Sequence, residues 1–164
     1  MRKLMCAAAL IGCLAVPGIG QAGPTPAPEP EYGGRIERDP NAFFGFDVVN
    51  RNGHRVVTNM FVINIPTACF DPGDDRRQTG PLEGSLRVRG GGRFRGTRTN
   101  EFRPRGTIAT GLKYTVRGRL DGSRAKGTIN IRIEGSNCYT GTLSWRAKKP
   151  PPPLPKVIIS PLRG

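Results

Sequence analysis

Arginine occupies alternate positions in the stretch SLRVRGGGRFRGTR, which covers residues 85–98. The residues in question are Arg87, Arg89, Arg93 and Arg95, and Arg117 and Arg119 repeat the pattern in YTVRGRL. A guanidinium group is a planar, permanently charged fork of N–H donors that suits phosphate and carboxylate oxygens. If these six side chains share a surface, we expect that surface to bind an anionic ligand with a strong dependence on salt.

The same alternation is required of any half-buried antiparallel strand, whatever that strand binds. Apolar residues such as Phe94 and Val116 fall between the arginines and would face the core. What points to a ligand is the single sign of charge, because Glu101 and Asp121 are the only acidic residues from 87 to 126. A genome rich in G and C would also fill exposed positions with arginine, so this second explanation stays open.

Other chemistries have weaker support in the sequence. The spacing of Asp71, Asp74 and Asp75 matches no EF-hand loop, and a turn explains these residues more simply. His54 is the single histidine and has no partner in a recognised catalytic motif. The glycines at 90–92 are not followed by the Lys-Ser/Thr ending of a phosphate-binding loop, and the turn of a hairpin explains them instead. We therefore predict no catalytic residues, no bound metal and no cofactor.

The elements that must carry the arginines have the pattern of β-strands. The chain holds 23 Gly and 16 Pro among β-branched and aromatic runs, and no stretch has helical periodicity. AFFGFDVVN predicts a strand with Phe44 and Phe46 on one face, and Asn52-Gly53 predicts the hairpin turn after it. These features favour an all-β protein, an antiparallel β-sandwich or a small barrel with one disulfide, flanked by Pro-rich tails.

Later segments continue this pattern. LKYTVRGRL places Leu112, Tyr114, Val116, Gly118 and Leu120 on one side, and AKGTINIRIEG turns its isoleucines inward. DPGDDRRQTGP, residues 71–81, is expected to be a loop, and residues 90–92 are expected to join two short strands. NEFRPRGTIATG is expected to be irregular, and Tyr139, Leu143 and Trp145 are expected to anchor the end of the domain in the core.

The amino terminus has the layout of a secretory signal. Arg2 and Lys3 precede a short apolar run, and small residues follow it up to a cleavage site expected after Ala22. The run is too short and too broken to span a membrane. A second interpretation, a lipoprotein modified at Cys13 of LIGC, stays open. Removal of Arg2 and Lys3 would change the net charge from +14 to +12, which is 14 − 2.

Composition divides the chain into four parts. We predict a signal peptide at 1–22, a Pro-rich linker at 23–32, a β domain at 33–148 and a Pro-rich tail at 149–164. The tail holds a run of four prolines, which is expected to be an extended, solvated spacer. The mature chain would keep two cysteines, Cys69 and Cys138, and an even pair in an exported protein suggests one disulfide.

The region from about Phe43 to Lys148 resembles a loose group of small secreted bacterial all-β proteins of uncharacterised function. The resemblance is carried by TACF, GRFRG, YTVRGRL followed by AKGTI, and the closing CYTGTLSW. It implies a β fold, export and a Cys69–Cys138 bridge. It implies no activity and no catalytic residues.

Taken together, the residues predict a monomeric, non-enzymatic binding or structural module of the bacterial envelope or exterior. Its partner would be an anionic envelope polymer or glycan, because the aromatic residues fall on the apolar faces and leave nothing for nucleic-acid bases to stack on. Two alternatives stay open. One is a wall-glycan hydrolase that uses a carboxylate pair the sequence does not identify, and the other is a domain that binds or inhibits a protein partner.

Overall fold

A computed structural model describes residues 29–69, 76–102, 110–134 and 138–156 of the chain. Four of the sequence predictions lie outside these residues. They are the signal peptide with its cleavage after Ala22, the alternative lipidation at Cys13, the aspartate cluster at 71–75 and the end of the tail at 157–164.

The described residues form antiparallel strands joined by turns, with one short 3-10 turn at Gly90–Gly92. The strands are β1 (Tyr32–Ile36), β2 (Asp39–Arg51), β3 (His54–Thr67), β4 (Arg76–Leu82), β5 (Leu86–Arg87), β6 (Arg93–Phe102), β7 (Thr110–Asp121), β8 (Arg124–Ile133), β9 (Cys138–Tyr139) and β10 (Leu143–Lys148). They pair in the order β4-β3-β2-β1-β10-β8-β7-β6, with β5 on β3 and β9 on β8. The sheet curls into a nearly closed barrel, which confirms the all-β prediction.

Side chains rather than a strand ladder bring the two ends of the sheet together. Asn100 on β6 accepts from the Glu83 amide (3.1 Å) and donates to the Pro81 carbonyl (3.1 Å). The Tyr114 hydroxyl donates to the Glu83 carbonyl. Leu86 of β5 packs against β6 at Gly96, where an added Cβ would lie 2.2 Å from it. The described seam between β4–β5 and β6 is therefore apolar inside and bridged by amide and hydroxyl groups.

Aromatic rings fill the barrel. Phe44 and Phe46 point inward from β2, as predicted, and both contact Trp145 of β10, with ring centroids 5.0 and 5.8 Å apart. Phe94 of β6 stacks on Trp145 at 6.2 Å. This cluster buries more apolar area per residue than aliphatic side chains would, which suits a small core.

The inward sides of β7 and β8 were also predicted correctly. Tyr114, Val116, Ile129 and Ile131 are fully buried. The prediction that Tyr139 is an anchor in the core was wrong, because half of its surface is exposed. It lies on the two-residue strand β9 next to Cys138, which is buried, and alternation turns the neighbouring side chain outward.

Two asparagines let the long strand β3 keep its apolar side inward. Asn59 (φ 47°) and Asn64 (φ 53°) lie where the pairing with β2 and with β4 shifts register. Each is an extra residue in a β-bulge, a position where asparagine tolerates a left-handed backbone. Without the bulges, the side chains beyond Asn59 would face the wrong side of the sheet.

Three local predictions from the sequence were wrong. The expected loop at 71–81 contains strand β4 from Arg76. The strands on either side of Gly90–Gly92 do not pair with each other, because β5 pairs with β3 and β6 with β7. The segment expected to be irregular instead forms strand at both ends, in β6 and β7, while its residues 103–109 lie outside the described part of the chain. Strands β4 and β6 pair with their neighbours in the chain, β3 and β7, and only the pairing of β5 with β3 skips a strand.

The Pro-rich tail does not leave the domain at Lys149. Residues 150–156 lie along the outer side of β1–β2–β3, where the Asn64 side chain donates to the Lys156 carbonyl (2.9 Å). Pro151 lies beside Phe43, which is fully buried although it points away from the barrel core. Phe43 stacks on Phe61 at 5.9 Å. The expectation of a solvated spacer is thus wrong for 150–156, because aromatic side chains on the outer face give the prolines a surface to cover.

At the other end, Tyr32 belongs to β1 rather than to the preceding linker. Its ring stacks on Phe46 (5.3 Å) inside the barrel, and its hydroxyl donates to the Gly122 carbonyl (2.9 Å). The preceding Glu31 binds Lys149 through its carboxylate (2.5 Å). The two ends of the domain are therefore held together by an ion pair.

Cys69 and Cys138 form a disulfide, as the resemblance implied. Cys69 follows β3, and Cys138 begins β9, which pairs with β8 on the far side of the sheet. Ala68 and Tyr139 exchange two backbone hydrogen bonds of 2.9 Å beside the bond. The bridge thus joins the end of β3 to β9, and three strands separate β3 from β8, the partner of β9, in the sheet order.

Candidate anion-binding face

Five cationic side chains stand directly opposite one another on five neighbouring strands, on the outer face of the barrel. In order across the sheet, this cation row consists of Arg93 (β6), Arg119 (β7), Lys126 (β8), Arg146 (β10) and Arg35 (β1). At about 4.8 Å between strands, the row is about 19 Å long. The alternation that turns Phe94, Trp145 and Ala125 inward is what turns these side chains outward.

A second row runs parallel to the first, two residues along each strand. It contains Arg95 and Arg117, which are paired across β6 and β7, and then Thr128 and Ser144 on β8 and β10. Residues i and i+2 on a strand are about 6.7 Å apart, which sets the spacing of the two rows. The cation row is therefore positively charged along its whole length, whereas the second row changes from guanidinium groups on β6 and β7 to hydroxyl groups on β8 and β10.

A depression of about 580 Å³ lies between the rows, and we call it the trough. Its floor is formed by Phe94 and Trp145, whose side chains turn into the core, and by Gly118 and Gly127, which have no side chain. Inside the barrel, the rings of Phe94 and Trp145 cover the two glycines. Two separate depressions lie on the other side of the cation row, one beside Arg124 and the other beside Arg35 and Pro152 of the tail.

Within the described part of the chain, most cations of the face have no carboxylate partner. Among the described residues, none of the ion pairs within 4.0 Å involves Arg93, Arg95, Arg117, Arg119 or Lys126. Arg146 is the exception, since its Nε donates to Glu37 Oε1 at 2.7 Å. Arg35 donates to the carbonyls of Pro40 (2.6 Å) and Pro153 (3.3 Å). Like charges opposed in this way repel one another, so the uncomplexed face is destabilising and an anion would relieve it.

The six arginines singled out in the sequence divide into two groups. Arg93, Arg95, Arg117 and Arg119 meet on β6–β7 at the trough. Arg87 pairs instead with Val56 of β3, and its guanidinium lies 3.1 Å from the ring nitrogens of His54. Arg89 lies in the turn before β6, where its amide donates to the Arg93 carbonyl.

Three cations of the row were missed by sequence reasoning. Lys126 could have been found, because the Asp121-Gly122 turn fixes the pairing of β7 with β8. Arg146 and Arg35 could not, since they join the row only through the pairing of β10 with β8 and of β1 with β10. No local signal in the chain contains that register.

Two acidic groups away from the face are engaged within the protein. Glu31 accepts from the Val48 amide (2.8 Å) and from Lys149, while Asp47 accepts from the Glu31 amide (2.7 Å) and from Asn59 (2.8 Å). The described residues hold no cluster of three or more metal-ligating side chains. Nor do they include a helix with the length and apolar content to cross a lipid bilayer.

Comparisons with models of protein families, with curated protein sequences and with solved structures find no match.

Proposed function

We propose that this protein is an exported, non-enzymatic binding module that holds an anionic polymer of the cell envelope or exterior on its basic face. The observation that carries the proposal is the cation row, in which five positive side chains stand in register on five strands. Random placement of arginine on an exposed face would mix in acidic residues, whereas Glu37 is the single acidic residue that lines the described trough, and Asp121 lies in the adjoining depression beside Arg124.

Two features support the proposed export from the cytoplasm. The disulfide favours an oxidising compartment outside the cytoplasm. The first 22 residues have the order of charged, apolar and small residues that marks a secretory signal.

Nucleic acid fits the face less well. Proteins that bind single strands without sequence preference stack bases on exposed aromatic side chains. Here Phe94 and Trp145, the aromatic residues nearest the trough, are 2% and 1% exposed and face the core. An acidic glycan or a phosphate polymer needs charge and hydrogen bonds alone, and the face provides both.

Retention on an anionic matrix tests the proposal. The variant R95S/R117S/R119S should elute from heparin, a sulfated polymer, at a markedly lower salt concentration than the wild type. The matched control is R51S/R55S/R87S, which removes three exposed arginines from β2, β3 and β5 and lowers the net charge equally. Equal loss of retention in both variants would mean that net charge, rather than this face, determines binding.

A further inference from the structure

We infer that the bound polymer is a single, unbranched chain carrying phosphate groups, and that it lies across the strands along the trough. The inference rests on the proposed function and adds the class, the path and the extent of the ligand. The path is set by the cation row, which runs perpendicular to the strands.

The width of the trough limits what can enter it. The rows are about 6.7 Å apart at the backbone, while the trough runs about 14 Å from β6 to β10. One chain can therefore have cations on both sides, from Arg119 on one wall and Arg117 on the other. A flat lipid surface could not reach the floor, and it would meet every outward cation of the sheet equally.

The donors on the walls suit phosphate. Each guanidinium can give two parallel hydrogen bonds to a phosphate group, and Arg93, Arg95, Arg117 and Arg119 form two such opposed pairs on β6–β7. Thr128 and Ser144 continue the second row with hydroxyl groups, which can accept or donate to the hydroxyls of a linking polyol or sugar. We assign the β6–β7 half to the phosphates and the β8–β10 half to a phosphate with its hydroxylated linker.

The trough also has a definite end. Glu37 lies on its lining beyond Ser144 and holds Arg146. A polyanion approaching β1 meets this carboxylate, so we expect the strongest contacts from β6 to β8. Affinity should therefore rise with chain length until the chain covers this part of the row, and then change little with each added unit.

The chain itself offers a matched pair of variants for the test. Arg119 and Lys126 are paired across β7 and β8 in the trough, and Lys113 and Arg132 are paired across the same two strands farther along the same face. All four are exposed. R119S/K126S and K113S/R132S thus remove the same charges from the same strands, one pair inside the trough and the other outside.

The probe is linear inorganic polyphosphate of graded length, titrated into the full chain at low and moderate salt. We expect R119S/K126S to lose at least tenfold in affinity and to flatten the salt dependence, because each lost phosphate contact lowers the slope by about 1. K113S/R132S should lose less than threefold. A glycerol-phosphate chain as second probe should lose affinity in T128V/S144A, whereas polyphosphate should not.

The outcomes separate the two proposals. If the wild type binds neither heparin nor polyphosphate, the proposed function fails. If it binds polyphosphate and both double variants lose equally, the face binds polyanions but the trough does not guide them, and this inference is overturned. Binding to vesicles containing anionic lipid without binding to polyphosphate would overturn it as well, in favour of a membrane surface.

Discussion

Arg146 is held by Glu37 through a 2.7 Å hydrogen bond between charged groups, at the point where the cation row meets β1. Both side chains are well exposed, so the pair contributes little to stability, about 0–1 kcal/mol. The ion pair has a larger effect on ligand binding, because it engages one of the five cations of the row.

Glu37→Gln should therefore strengthen binding of polyphosphate. We expect about a threefold gain in affinity at low salt, since a surface ion pair worth less than about 1 kcal/mol limits the gain to about fivefold. Titration of the variant gives the dissociation constant, and urea unfolding should show an almost unchanged free energy. Glu83→Gln at the seam is the control for the change in net charge, and an equal gain there would contradict the role of Glu37.

The trough depends on two glycines that leave room inside the barrel. A Cβ on Gly127 would lie 2.0 Å from the Arg117 carbonyl oxygen and 2.5 Å from Cζ2 of Trp145. Gly127→Ala should lower the free energy of unfolding by about 2 kcal/mol or more, because a well-packed core cannot accommodate the added methyl group without displacing the strand or the ring. Chemical denaturation followed by Trp145 fluorescence measures the loss.

Gly80→Ala on β4 is the control for that substitution. Nothing lies within 4 Å of the Cβ it would add. We expect a change of less than about 0.5 kcal/mol, as for other surface substitutions. Equal destabilisation at both positions would show that the close approach at Gly127 is not the cause.

A feature of the fold can be predicted from the sequence when it depends on residues that lie close together in the chain. The inward positions of β7 and β8 follow from alternation, and the pairing of Arg119 with Lys126 follows from the short turn that joins their strands. Arg146 joins the row by pairing with Lys126, although strand β9 intervenes in the chain, and Arg35 joins it by pairing with Arg146, more than 100 residues away in the chain. Local patterns do not determine such long-range register, and this is why half of the trough was missed.

The bulges at Asn59 and Asn64 could not be predicted from the local sequence either. Asparagine tolerates a positive φ, yet nothing near either residue distinguishes it from an asparagine in a regular strand. What requires the bulges is the pairing of β3 with three other strands while its apolar side chains face one core. The docking of 150–156 is comparable, because Pro151 needs a buried Phe43 that is distant in the chain.

That docking predicts a contribution of the tail to stability. Truncation after Lys149 would uncover Phe43 and remove the hydrogen bond from Asn64 to the Lys156 carbonyl. We expect the free energy of unfolding to fall by about 3 kcal/mol, mostly through exposure of the aromatic surface. Truncation after Lys156 is the comparison, since the difference between the two forms isolates residues 150–156. No difference in urea midpoint between them would contradict the docking.

Alkaline pH should act through Tyr114. Burial raises the pKa of its phenol to about 12, from the 10 of an exposed tyrosine. A raised pKa in the folded state means that this contribution to stability is complete below pH 10 and is lost as the pH rises from 10 towards 12. Absorbance at the tyrosinate band should show one tyrosine ionising late, and the free energy of unfolding should fall in the same interval.

Tyr114→Phe checks the assignment. The variant loses the hydroxyl that donates to the Glu83 carbonyl, which should cost about 1 kcal/mol at neutral pH. Its free energy of unfolding should also fall less above pH 10, because the buried phenol that ionises there is absent. If the stability of the variant falls as steeply as that of the wild type above pH 10, a group other than Tyr114 causes the fall.

The disulfide should stabilise the barrel without taking part in binding. It closes a loop with a sequence separation of 69 residues between Cys69 and Cys138, for which restriction of the unfolded chain is worth about 4 kcal/mol. The double variant C69S/C138S should lose stability of that order in urea unfolding. Its affinity for polyphosphate should stay within about twofold of the wild type, because the bond joins the end of β3 to β9 while the trough lies on β6, β7, β8 and β10. If the double variant does not fold, reduction of the folded wild type gives the same comparison. A large loss of binding in a protein that is still folded would show that the bridge positions the face.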